Sequence, residues 1–98
     1  MEVFWLAGAL ADLSEIMEYI AARNPSAAPK VAAGLHQAAA RLGVHPRLGR
    51  KGRIAGTREL VVSRLPFVIA YRVRADRIEV LRVIHGRRDW RAAFPERA

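Results

Sequence analysis

The sequence contains no cysteine. That absence excludes disulfide frameworks, thiol nucleophiles, iron–sulfur clusters and thiolate zinc sites, and it suits a reducing compartment, the cytoplasm by default. Proline and glycine are also sparse, at five and seven residues, while 52% of the chain is hydrophobic. A collagen, a low-complexity linker and a disordered chain have the opposite balance. Long apolar runs are missing as well. The longest uncharged stretches, Val3 to Ala11 and Val31 to Ala40, are about half the ~20 residues of a membrane-spanning helix, so no bilayer crossing is expected. Val3 to Ala11 ends in small residues as a short signal peptide would. Glu2 occupies the place of the basic leader, however, and the apolar period runs on past Asp12, which marks the stretch as mature structure. The 98 residues make one expected domain, 1–98.

Acidic residues are the other scarcity. Nine Asp+Glu face seventeen Lys+Arg for a net charge of +8, and fifteen of the seventeen are arginine, the side chain whose planar fork matches phosphate and carboxylate. Residues 1–44 carry three basic and four acidic side chains, net −1, whereas residues 45–98 carry fourteen and five, net +9. The second half is a cationic body suited to nucleic acid or to an acidic protein segment.

Val3 to Leu6 is a bulky run suited to a first strand, and Leu10, Leu13, Ile16, Met17 and Ile20 then recur at helical spacing. Asn24-Pro25-Ser26 ends that helix, because proline disfavours helical geometry before it, and Ser26 offers an oxygen to cap the next. Val31, Leu35, Ala38, Ala39 and Leu42 form the buried stripe of a second helix with Gly43 as its expected stop. From Val44 to Gly56 four Pro and Gly residues break helical order while Arg47, Arg50, Lys51 and Arg53 crowd into seven positions, a basic loop or edge. Beyond it Arg58 to Val62, Phe67 to Arg74 and Ile78 to Ile84 alternate as strands, joined by turns short enough for antiparallel hairpins. Arg87 to Phe94 reads as a short terminal helix or tail. The expected fold is α+β, a two-helix hairpin packed on a small antiparallel sheet in the order β-α-α-β-β-β.

His85 closes the last strand among arginines, whose charge favours a neutral, proton-accepting imidazole. With Arg88, Arg58 and the Arg50, Lys51, Arg53 cluster clamping a phosphodiester, such a base could drive attack by an RNA 2′-hydroxyl without a metal. The bland alternative stands beside it: a lone histidine near arginines is a common surface feature. His36 and His45 show no ligand spacing, so neither a metal nor another cofactor is expected. Arg82, in phase with Ile78, Val80 and Ile84, suits a structural ion pair, with Glu59 as candidate partner, as well as a substrate contact. Trp90 and Phe94, four apart, read as pins for the C-terminal segment, with base stacking as the alternative. Tyr71 reads as core.

Several pieces, taken in order and spacing, resemble a known superfamily: Ala11-Asp12-Leu13 with Ile16 and Tyr19-Ile20, Asn24-Pro25, Pro46 with Gly49-Arg50, Gly56 to Val62, Pro66 to Val73, and Ile78 to Trp90. Together they resemble the ParE/RelE toxins of bacterial type II toxin–antitoxin modules over nearly the whole chain, the ParE branch more closely than the RelE branch. The resemblance implies a cytoplasmic bacterial toxin and a cognate antitoxin that wraps it with an extended C-terminal segment containing acidic residues.

RelE-like members cut messenger RNA on the ribosome, and ParE-like members block DNA gyrase so that replication stalls. By the same resemblance Lys51, Arg53 and Arg88 hold places comparable to a RelE-like catalytic surface, and His85 can take the proton-transfer role. Ser63 stands where a catalytic arginine is expected, with Arg64 beside it, and Phe94 stands where a catalytic tyrosine is expected. A phenyl ring cannot exchange a proton. Gyrase inhibition is therefore the first expectation. The second is a ribosome-dependent mRNA endoribonuclease with His85, Arg88, Arg53 and Lys51 catalytic. The expected binding surface is Arg50, Lys51, Arg53, Arg58, Arg64, Arg87 and Trp90.

Overall fold

The computed structural model describes residues 1–86; the expected C-terminal helix or tail, with Arg87, Arg88, Trp90 and Phe94, lies outside the described residues. The elements in chain order are β1 (Glu2–Trp5), α1 (Ala7–Arg23), α2 (Ala27–Val44), β2 (Arg50–Lys51), β3 (Arg58–Val61), β4 (Phe67–Val73) and β5 (Arg77–His85). They build one sheet in the order β1-β5-β4-β3-β2, with the helical hairpin against one face, the α+β arrangement read from the sequence. The β3-β4-β5 meander is antiparallel as expected. Two features differ. β1 runs parallel to β5, with Val3 opposite Ile78 and Trp5 opposite Val80, so the sheet is mixed, and the hairpin belongs to the long connection that parallel strands require. The basic loop also contributes a two-residue edge strand, β2, antiparallel to β3.

The core forms where α2 meets the sheet. Leu35, Ala39 and Leu42 on α2 and Ala9 on α1 pack with Ile69, Tyr71, Ile78, Val80 and Val83, and Leu35, Leu42, Ile69, Tyr71, Ile78 and Val80 are fully buried. The stripe of α2 is therefore the one its spacing announced. On α1, Leu13 and Ile16 pack against this core as their spacing announced, while Ala9 and Asp12 are its buried residues and Leu10 is 52% exposed.

Asp12 ties α1 to the sheet. Its carboxylate accepts hydrogen bonds from Arg82 Nε at 2.7 Å and Nη2 at 2.8 Å, and from the Val83 amide at 2.9 Å. β1 parts from β5 where Leu6 N donates to the Val80 carbonyl. Beyond that point Asp12 supplies the acceptor for the Val83 amide, so α1 closes the edge that β1 vacates. Arg82 thus pairs with Asp12 and not with Glu59.

A β-bulge corrects the expected strand phase. Tyr71 lies opposite Val80 and Ala70 opposite Arg82, leaving Leu81 as the extra residue. The insertion resets the inward–outward alternation. Val83, rather than Ile84, continues the helix-facing row of Ile78 and Val80, while Ile84 joins Val68 and Ala70 in a small cluster of its own.

Two helix-end expectations also change. Ser26 sits in helical geometry without capping α2, and its hydroxyl donates to Asn24 Oδ1 at 3.0 Å. Gly43 does not stop α2, which runs to Val44. A Cβ there would lie 2.5 Å from the Met1 carbonyl, so glycine serves the close approach of the chain's first residues.

Candidate functional site

The basic loop between α2 and β3 is held from beneath by Tyr71. Its hydroxyl donates to the Pro46 carbonyl at 2.8 Å and accepts from the Gly49 amide at 2.9 Å, which fixes the turn onto the middle of the sheet. Burial raises the Tyr71 pKa, against the opposing Gly49 hydrogen bond and Arg58 charge, so the group remains a phenol at neutral pH. A Cβ at Gly49 would sit 2.7 Å from the Glu59 carbonyl and 2.8 Å from the tyrosine ring, which makes glycine the residue that lets the loop lie this close. The next turn is closed by Gly52 N donating to the Thr57 carbonyl at 2.8 Å and by Thr57 Oγ1 donating to the Ile54 carbonyl at 2.7 Å.

Three buried carboxylates sort the arginines. Glu59, 3% exposed, accepts from the Arg53 backbone amide at 2.8 Å, from Arg53 Nε at 3.1 Å and Nη2 at 3.2 Å, and from Arg50 Nη2 at 3.4 Å. Burial alone would raise its pKa. The Arg53 side chain, its backbone amide and then Arg50 outweigh that and hold the carboxyl below its ordinary value. Glu79 gathers Arg72, Arg77 Nε at 3.0 Å and Arg74 Nε at 3.3 Å. Chiefly through the Arg72 hydrogen bond, against desolvation, its pKa is lowered to about 2. Asp12 takes Arg82, whose pKa rises mainly through that hydrogen bond. Glu59 is opposite Ala70 and Glu79 opposite Arg72, out of phase with the helix-facing residues. These two arginine clusters therefore occupy the sheet face turned away from the hairpin.

Lys51 faces the other way. It lies opposite Arg58, which lies opposite the core residue Tyr71, so Lys51 and Arg58 project on the helix side, at the β2 edge of the sheet. Arg58 Nη1 is steadied by the Gly49 carbonyl at 2.7 Å. Together with Arg47, Val73 and the turn through Gly52, Gly56 and Thr57, they line a cleft of about 650 Å³. No carboxylate among the described residues lines it. A second concavity, of about 530 Å³, lies at the opposite end of the sheet. It is apolar, formed by Ile16, Tyr19, Ile20, Val31, Leu65 and Phe67, with Glu15 and His85 also lining it.

The residues singled out from the sequence are thus divided. Arg50 and Arg53 meet on Glu59, and Lys51 and Arg58 meet in the cleft on the other face. His85 stands edge-on to Phe67, with ring centroids 5.9 Å apart. It pairs with Phe67 in the sheet, whereas Arg58 pairs with Tyr71, four residues farther along β4 or about 13 Å. Arg64 is exposed in the β3–β4 turn with φ of 65°. Arg87, Arg88 and Trp90 lie outside the described residues. Sequence reasoning missed Asp12 and Glu79 as organisers of arginine. The available signal was a carboxylate set among apolar residues, Ala-Asp-Leu in α1 and Ile-Glu-Val in β5.

Residues 3–90 match the family model described as "ParE toxin of type II toxin-antitoxin system, parDE". The chain belongs to the ParE toxin family. This ParE-family toxin is 42% identical over 86 residues to "Putative toxin Y4kP" of Sinorhizobium fredii (strain NBRC 101917 / NGR234), covering 88% of each chain. It is 40% identical over 87 residues to "Toxin RelE2" of Caulobacter vibrioides (strain ATCC 19089 / CIP 103742 / CB 15), covering 89% of this chain and 97% of the relative. Among solved structures it is similar to the "Chromosomal ParDE TA system from P. aeruginosa", with a TM-score of 0.80 and 27% identity over 87% of this chain and 95% of that one. The protein is a type II toxin–antitoxin toxin of the ParE/RelE superfamily, and its relatives carry both branch names. Among the described residues, no helix is long and apolar enough to cross a membrane, and no group of three or more His, Asp or Glu is placed to hold a metal ion.

Proposed function

We propose that the toxin inhibits DNA gyrase in the bacterial cytoplasm, stalling replication, and is neutralised by a cognate antitoxin. The observation that favours this over RNA cleavage is the separation of the nominated catalytic groups. A general base must lie within hydrogen-bond reach of the proton it takes, and His85 is about 13 Å along the sheet from the row holding Lys51 and Arg58. Arg53, bonded twice to Glu59 through its guanidinium, faces away from Lys51. Ser63 and Phe94, where the RelE-like pattern expects arginine and tyrosine, agree with this reading. An inhibitor that works by occupying a target protein needs a charged and apolar surface, not a converged acid–base set.

The apolar groove at the His85 end suits one partner segment of the antitoxin, with Tyr19 62% exposed as an anchor for apolar side chains. Aromatic anchors of this kind dominate interface energetics. The decisive assay is supercoiling of relaxed plasmid by purified gyrase in the presence of purified toxin. Inhibition that the cognate antitoxin reverses is the expected result, and unaltered supercoiling at large molar excess of toxin refutes the gyrase reading. Cuts at codon boundaries in ribosome-bound message, lost in His85→Ala, would establish the enzyme instead.

A further inference from the structure

We propose that the exposed tip Arg47-Leu48, with Val44 and Val73 beside it, is the surface by which the toxin grips its target protein. This deepens the gyrase reading and rests on it. Four large hydrophobic side chains that face solvent, Val44 at 75%, Met1 at 53%, Leu48 at 40% and Val73 at 38%, lie around one place, the C-terminal end of α2. Met1 is against Gly43, the residue before Val44. Val3, whose Cγ2 is 3.3 Å from the place a Gly43 Cβ would take, shares a row of the sheet with Ile78 and Val73. Leu48 is turned back on the helix end by its amide, which donates to the His45 carbonyl at 3.0 Å. Singly exposed apolar residues need no explanation, but a gathered set marks an interaction surface.

The tip is also held in place. The Tyr71 hydroxyl, donating to the Pro46 carbonyl and accepting from the Gly49 amide, clamps the residues on either side of Arg47-Leu48. The dipeptide itself is exposed while both its flanks are tied to the core, so little loop freedom is lost when a partner closes on it.

The surrounding charge selects the partner. Arg47, Lys51 and Arg58 line the adjoining cleft with Val73, and they are in no carboxylate pair among the described residues. An apolar centre with a cationic border fits a protein surface that offers an apolar recess bordered by Asp and Glu. A phosphate backbone would leave Val44 and Leu48 in water, and a second copy would set three cations against three. The groove assigned to the antitoxin lies elsewhere. Val31 and Phe67 line that groove; Val44 is about 20 Å from Val31 along α2, and Val73 is about 20 Å from Phe67 along β4.

Three proteins test the tip: wild type, Val44→Ser/Leu48→Ser, and a control, Leu10→Ser/Val61→Ser, that removes two apolar side chains, 52% and 57% exposed, from other surfaces. A dispersed amide spectrum confirms that each is folded, and capture by immobilised antitoxin is measured on all three. Supercoiling of relaxed plasmid gives the half-inhibitory concentration. Anisotropy of fluorescein-labelled toxin titrated with DNA-free gyrase gives the Kd.

Val44→Ser/Leu48→Ser should raise both values by about tenfold or more and still be captured by the antitoxin. The control should change them by less than about twofold. Equal potency of the three proteins overturns the tip while leaving gyrase as the target, whereas a wild type that neither binds nor inhibits gyrase overturns both. Wild-type binding seen only when DNA is added assigns the surface to nucleic acid. Capture lost with inhibition intact assigns it to the antitoxin, and a sedimenting dimer that the Val44→Ser/Leu48→Ser protein no longer forms assigns it to a second copy. Each of these three results also overturns the proposal.

Discussion

Replacing Asp12 by alanine tests how the first helix is held to the sheet. The substitution removes both guanidinium hydrogen bonds and the acceptor for the Val83 amide, from a carboxylate 5% exposed. Breaking a buried ion pair by deleting one partner costs about 3–5 kcal/mol. The Arg82 side chain retains 21% exposure, so water can solvate part of its charge and the figure falls to about 2–3 kcal/mol. The unpaired amide adds about 1 kcal/mol. A loss of about 3–4 kcal/mol is a large share of the ~5–15 kcal/mol that holds a domain of this size together. At 3 kcal/mol the melting midpoint should drop by roughly 12–24 °C.

Urea unfolding followed by far-ultraviolet circular dichroism, with a double-mutant cycle to Arg82→Met, separates the ion pair from the amide. Asp12→Asn keeps an acceptor for Val83 and should lose clearly less than the alanine variant. The reasoning fails if Asp12→Ala unfolds within about 0.5 kcal/mol of wild type, the scatter of an ordinary surface substitution.

Tyr71→Phe leaves the buried Gly49 amide without its acceptor and should destabilise by about 1–3 kcal/mol, read most directly as faster hydrogen exchange at Gly49. Gly49→Ala forces a methyl group against the Glu59 carbonyl and the tyrosine ring, so it should shift the denaturant midpoint downward and disturb the loop amides in the same spectrum. Glu79 titrates at about 2 in the folded chain against the ordinary 4.5. The stability it supplies is therefore complete above the ordinary value and disappears as the pH falls through about 2. Glu79→Gln should flatten that acid limb in a pH series of thermal midpoints, while Glu59, also lowered, keeps part of it. Leu65→Ala and Phe67→Ala remove apolar lining from the groove and should speed antitoxin dissociation by about tenfold or more. Unchanged dissociation in surface-plasmon traces would move that contact elsewhere.

Helix and strand identities were legible because they depend on local repetition. The stripe Leu35, Ala38, Ala39, Leu42 and the alternation through β4 are visible within a dozen residues. What escaped was decided between residues far apart. The parallel pairing of β1 is a choice of direction made with β5, more than 70 residues away, and nothing inside Glu2–Trp5 encodes it. The bulge at Leu81 adds one residue to a run that reads as unbroken alternation, so the phase of everything after it was misjudged. The basic cluster was visible as composition, but its partition onto two faces was not. Arg53 and Lys51 are two positions apart and would share a face in a regular strand. Because β2 ends at Lys51, Arg53 is free of that alternation and its side chain turns toward Glu59.

Two of the concavities among the described residues, the apolar groove and the basic cleft, lie at opposite extremes of the strands. Along β4 they are about 13 Å apart, and a strand-to-strand step of about 4.8 Å is added for each strand crossed from β5 to β2. A neutralising polypeptide that blankets both would need roughly six fully stretched residues merely to bridge the interval, and more to pass around the helices. A shorter peptide lodged at one extreme leaves the other open to solvent. Length alone would then distinguish a full antagonist from a partial one, and truncating a neutralising segment should silence it in two separable stages.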